Sequence, residues 1–91
     1  MKKVIIEQNE QVISVEDITD DMIIGIIYKS GRKSFLIKHN NNNTIALDLH
    51  TRTTLDCWTA ENHKDYIKKA YNVKDIFIFD SPKELAQWLA E

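Results

Sequence analysis

Four side chains in this sequence have the ligand and nucleophile chemistry that most often marks a reactive centre: His39, His50, Cys57 and His63. Nucleophilic catalysis needs a thiol of low pKa, a positioned base and a group to orient that base. His50 and His63 are candidate bases for Cys57, but the sequence supplies none of the required geometry. Cys57 therefore reads as a small buried hydrophobe on a strand. The steps from His39 to His50, to Cys57 and to His63 are eleven, seven and six residues. A structural zinc site draws close pairs from one turn or one helix face, and none of these spacings provides one. The expectation is no metal, no cofactor and no enzyme.

Three carboxylates stand out. Asp48 and His50 fall on one face of an alternating strand, with Asp56 on the next, and an Asp–His pair can transfer protons. Asp80 ends an apolar strand immediately before a helix start, a place where ligands bind in open parallel sheets. Ser81 beside it reads as a helix cap rather than a phosphate ligand. The chain has only two glycines, Gly25 and Gly31, so a phosphate-cradling glycine-rich loop is excluded, and no dinucleotide, P-loop, zincin or hydrolase motif occurs.

The elements that must position these residues follow from periodicity. Val4-Ile5-Ile6 reads as a first strand, and Val12 to Val15 as a second short strand or the lead into a helical turn, with Ser14 as a weak cap. The acidic cluster Glu16, Asp17, Asp20 and Asp21 reads as an exposed turn. Met22 to Tyr28 is a continuous apolar run, the mark of a strand covered on both faces. Ser30-Gly31-Arg32 is a hairpin turn. Lys33 to His39 alternates, with Phe35 and Ile37 on the expected core face, and Asn40 to Asn43 reads as the next hairpin loop. Thr44 to His50 alternates too: Ile45, Leu47 and Leu49 are expected to face the core, and Ala46, Asp48 and His50 to face away. Thr54 to Trp58 is a further candidate strand.

The period then changes. Thr59 can cap a helix over Ala60 to Asn72 with an apolar stripe of Tyr66, Ile67, Ala70 and Tyr71, supported by an Asp65–Lys69 pair. Asp75 to Asp80 is an internal strand. Ser81-Pro82-Lys83-Glu84 is the strongest local signal, a capping box with proline at the first helical position. The helix it opens, Pro82 to Ala90, points Leu85, Ala86, Trp88 and Leu89 at the sheet. The expected fold is α+β: a single domain, residues 1–91, with a mostly antiparallel sheet of about four to six strands and two C-terminal helices on one face (β-meander–α–β–α).

Composition bounds the function. The chain has 91 residues, 43% of them hydrophobic and 29% charged, which suits one small globular domain and excludes a disordered chain. One cysteine allows no internal disulfide, and the apolar run near the N-terminus is too short for a signal peptide, so a reduced, cytoplasmic protein outside the membrane is expected. The formal net charge is −2, which disfavours nucleic acid, whose binding rests on phosphate neutralisation. A local patch of Lys29, Arg32, Lys33, Lys38 and His39 with Tyr28 and Phe35 is the exception. The Ile-, Asn- and Lys-rich usage fits an AT-rich bacterial or phage genome.

By elimination, the expected function is a small non-enzymatic interaction module, a regulator or inhibitor that binds another protein, with a homodimer as a further option through unpaired sheet edges. The candidate binding residues are Tyr28, Arg32, Lys33 and Lys38 on the hairpin, with His50, Trp58 and Asp80. The alternative is a small-ligand, nucleotide-like binding protein with a pocket where His50, Trp58 and Asp80 converge.

Overall fold

The computed structural model describes residues 2–5, 13–39, 43–48, 53–54 and 60–91. His50, Cys57, Trp58 and Thr59 lie outside the described residues, as does the Asn40 to Asn42 part of the expected loop. The described strands are β1 (Lys2–Ile5), β2 (Ile13–Ser14), β3 (Ile23–Tyr28), β4 (Lys33–His39), β5 (Asn43–Asp48), β6 (Thr53–Thr54) and β7 (Val73–Phe79). They form one sheet in the order β2-β1-β7-β3-β4-β5-β6. Every pairing is antiparallel except β1 with β2. β2 and β6, the two outermost strands, have two residues each, and the five longer strands match the expected number. The helices are α1 (His63–Lys69) and α2 (Pro82–Ala90). The class is α+β, with a β3-β4-β5 meander.

The two helices lie on opposite faces of the sheet rather than on one. Cross-strand partners put Ile24, Ile26, Ile76 and Ile78 on the same face as Ser34, Leu36, Thr44 and Ala46. Tyr66 and Ile67 of α1 join that face in one buried cluster with Ile24, Ile26, Leu36, Ala46, Ile76 and Ile78. The residues between them, Gly25, Phe35, Phe77 and Phe79, share the other face, and there α2 lays Trp88 edge-on to Phe77 at 5.9 Å and tilted on Phe79 at 5.2 Å. A strand that feeds a helix on each side explains why β3 and β7 are apolar at consecutive positions.

This geometry reverses the expected orientation of β5. Thr44, Ala46 and Asp48 are the buried residues, and Ile45 and Leu47 are half-buried on the α2 face. Alternation separates two faces but does not say which is covered. Under α1 the sheet presents Ser34, Thr44 and Ala46, all fully buried, beside the larger Leu36.

Helix α1 is shorter than its periodicity suggests. Asn62 caps it, its side-chain carbonyl accepting from the Asp65 N–H at 2.7 Å, in a role expected of Thr59. At the other end Ala70 is extended and Asn72 adopts a left-handed φ of 60°, a conformation Asn tolerates. Tyr71, expected in the apolar stripe, is 67% exposed beyond the helix end. The Asp65–Lys69 pair forms at 3.2 Å. In α2 the Ser81 hydroxyl accepts from the Glu84 N–H at 3.2 Å. Trp88 is the residue α2 buries, with Leu85 and Leu89 half-buried and Ala86 exposed.

Gly25 is the device that seats Trp88. A Cβ at this position would lie 2.6 Å from the indole and 2.7 Å from the Phe79 ring, both too close for any side chain. We expect Gly25→Ala to cost about 1–3 kcal/mol by overpacking, read as a lower urea midpoint with an unchanged slope. A Gly25→Ala protein as stable as the parent would contradict this packing.

Candidate functional site

Of the hairpin residues proposed as a basic surface, Arg32, Lys33 and Lys38 are engaged within the chain. Arg32 precedes β4 and Lys33 begins it at one end of the sheet, and Lys38 lies near the other. By strand alternation Lys33 and Lys38 project to opposite faces. Lys33 reaches across α2: its ammonium donates to the Trp88 carbonyl at 2.7 Å and sits 4.8 Å over the indole. It thereby neutralises the negative end of the helix and shields the aromatic face. Arg32 pairs through Nε with Asp48 at 3.0 Å, the carboxylate being 1% exposed. Beside it the fully buried Ser34 hydroxyl donates to Tyr28 Oη at 3.3 Å. Tyr28, Arg32, Ser34 and Asp48 thus make a polar cluster at the hairpin end, on the α1 face.

A second polar cluster occupies the opposite end of that face. Its centre is His63, the first residue of α1 and only 2% exposed. Nδ1 of His63 lies 2.7 Å from the hydroxyl of Thr44 on β5. Asp20, in the loop before β3, accepts from the His63 backbone N–H at 2.9 Å and pairs with Lys38 at 3.2 Å. Lys38 in turn donates to the Glu61 carbonyl at 2.8 Å. Hydrogen bonding from His63 and the Lys38 charge hold the Asp20 carboxyl below its ordinary value. Burial pushes the His63 imidazole down, partly offset by Asp20. Sequence reasoning singled out Lys38 and His63 but not their partners, because Asp20 lies 43 residues from His63 and no local pattern links them.

Threonine, histidine and aspartate together resemble a nucleophile, a base and its orienting carboxylate. The geometry does not work that way. Thr44 and Asp20 both address the same ring nitrogen, Nδ1, with Asp20 at 3.9 Å, whereas a relay needs them on opposite nitrogens. Thr44 is also fully buried, beyond the reach of a substrate. The cluster is a clasp that joins the Asp20 loop, β4 and β5 to the start of α1. A related pair, Glu16 with Lys68 at 2.8 Å, ties the 3-10 turn Val15–Asp17 to the same helix. Among the described residues no group of three or more His, Cys, Asp or Glu is placed to hold a metal ion.

Asp80 is exposed and follows β7 at the end of the sheet where β3 begins, since Phe79 pairs with Ile23. Asp48, the last described residue before His50, lies at the hairpin end. Asp80 and the end of β5 therefore stand at opposite ends of the sheet.

An apolar surface that sequence reasoning did not assign to a site lies on the α2 face. Phe35 pairs with Leu47 and Ile37 with Ile45 across β4 and β5. All four side chains are half-buried. Helix α2 packs chiefly on β3 and β7, to one side of them. The signal was present as the bulky parity of both strands, but it was read as core.

Asp20→Ala removes the acceptor shared by His63 and Lys38 and should cost about 1–2 kcal/mol, measured by urea unfolding at pH 7. Because the folded Asp20 value is depressed, its contribution is present above the ordinary value of 3.8 and is lost as pH falls below it. Wild type and Asp20→Ala should therefore converge in stability in acid, and a gap that widens there would contradict the clasp. No protein-family model, curated protein or solved structure matches this chain.

Proposed function

We propose that the protein is a non-enzymatic binding module that docks another protein on the β4–β5 half of its α2 face and acts as a regulator or inhibitor by occupying that partner. The observation that carries this reading is the parity of β4 and β5. The two strands direct Phe35, Ile37, Ile45 and Leu47 to the half-buried face, while Ser34, Leu36, Thr44 and Ala46 turn to the buried face beneath α1. Half-buried apolar side chains side by side on a sheet are the usual makings of a protein interface. Lys33, Lys38 and Arg32 are held by partners in the same chain, which weakens the case for a nucleic-acid surface. Among the described residues no helix is long and apolar enough to cross a membrane.

A photo-crosslinking residue placed at position 37 or 45 in cells should capture one protein partner. The same residue at Gln87, on the exposed side of α2, should not. Ile37→Lys with Ile45→Lys should abolish capture from position 47, while costing about 1 kcal/mol of stability, or a melting shift of about 4–8 °C. Capture of the same chain would identify a homodimer. Equal capture from positions 37, 45 and 87 would sink the proposal.

A further inference from the structure

We infer that His63 is a proton-operated latch: neutral, it seats the first turn of α1 on β5, and protonated, it releases that turn and the Asp20 loop while the sheet stays intact. The inference is independent of which partner the β4–β5 face binds. It rests on how the pocket is built around one buried imidazole. With the ring neutral and its proton on Nε2, the Thr44 hydroxyl donates to Nδ1 across 2.7 Å. The backbone N–H of Thr44 also donates to the Ala60 carbonyl at 2.8 Å, so one residue of β5 holds both the approach to α1 and its first side chain.

The charged groups around the ring decide what a proton would do. The loop before β3 contributes Asp20 and Asp21, β4 contributes Lys38, and β5 contributes the neutral Thr44. On the helix side, Asp65 accepts from the Glu61 N–H at 3.2 Å and pairs with Lys69. Asp20 is the nearest carboxylate, 3.9 Å from Nδ1, but it already serves Lys38 at 3.2 Å and the His63 N–H at 2.9 Å. An imidazolium would place a second cation on a carboxylate that Lys38 holds, in a site 2% exposed to water. Burying a charge without a free counter-charge is costly. The relief is for the ring to turn out to solvent, which breaks the Thr44 bond and undoes the first turn of a helix only seven residues long.

Burial is also the dominant influence that lowers the His63 value below the ordinary 6.5. A depressed value stabilises the latched state above 6.5, and that preference is lost as pH falls below it. Ile24, Ile26 and Ile76, strand residues of the core cluster, are apolar, so the strands themselves have no reason to open with the latch.

Amide exchange corrected for its intrinsic pH dependence tests this on the intact chain. Between pH 7.5 and pH 5, exchange at residues 61–66 and 20–22 should accelerate by as much as about 30-fold, the bound for an imidazole of 6.5 that cannot protonate while latched. Protection at Ile24, Ile26 and Ile76 should hold. His63→Gln should lose the response, and a His39→Gln, His50→Gln double variant should keep it. A response that survives in His63→Gln, or that spreads equally to β3 and β7, would overturn the latch. Should His63→Gln fail to fold, the ring titration of wild-type His63 by NMR decides: a midpoint below that of an unfolded histidine supports the latch, and an ordinary midpoint overturns it.

Discussion

The antiparallel pairing of β7 with β3 is the constraint on which the rest of the structure depends. The last strand in sequence is placed between the first and the third, in register from Ile23 with Phe79 to Ile27 with Asp75, and a shift of register then brings Tyr28 opposite Val73. To reach that slot from the edge at β6, the chain crosses one face of the sheet as α1. To leave it, the chain crosses the other face as α2. Two-sided coverage follows, and with it the double demand on β3 and β7, whose even and odd residues must each pack beneath a different helix. Such long-range pairing closes large loops before it is rewarded, so folding should be slow for a chain of this size.

Each helix solves its own seating problem. Helix α2 brings one large anchor, Trp88, and the sheet provides a gap at Gly25 and aromatic walls at Phe77 and Phe79. Lys33 then closes the helix end. Helix α1 has two apolar anchors, Tyr66 and Ile67, on a short segment, and fastens itself with polar ties: Asn62 at its cap, Asp20 and Thr44 at its first residue, Glu16 at its later lysines. Those ties use charges that, read along the sequence, resembled a basic surface and an acidic turn. With Arg32, Lys33, Lys38, Glu16 and Asp20 engaged within the chain, the apolar β4–β5 face becomes the more distinctive part of the exterior.

Much of the local structure was legible in the sequence. The Ser81-Pro82-Lys83-Glu84 start of α2, the turn at Gly31, the two-sided strand at Ile23 to Tyr28 and the internal strand near Ile76 to Phe79 all depend on short-range rules, and all are present. What failed was information that short spacings do not carry. The alternation of β5 showed two faces, but only the path of α1 decides that Thr44 and Ala46 are fully buried and Ile45 and Leu47 half-buried. The α1 boundaries moved because Asn62 and Asn72 each have conformational preferences that an apolar stripe does not register. The His63 clasp joins residues from three separated segments, so no window of sequence displays it.

The central claim is that Phe35, Ile37, Ile45 and Leu47 form a face accessible to a partner. Methyl NMR of the free protein with an inert, soluble paramagnetic agent tests it most directly. The account predicts strong relaxation of the Ile37, Ile45 and Leu47 methyls and little at Leu36, Ala46 and Ile67 beneath α1. Equal protection of both sets would mean that the β4–β5 face is closed in the free protein, and would contradict the account.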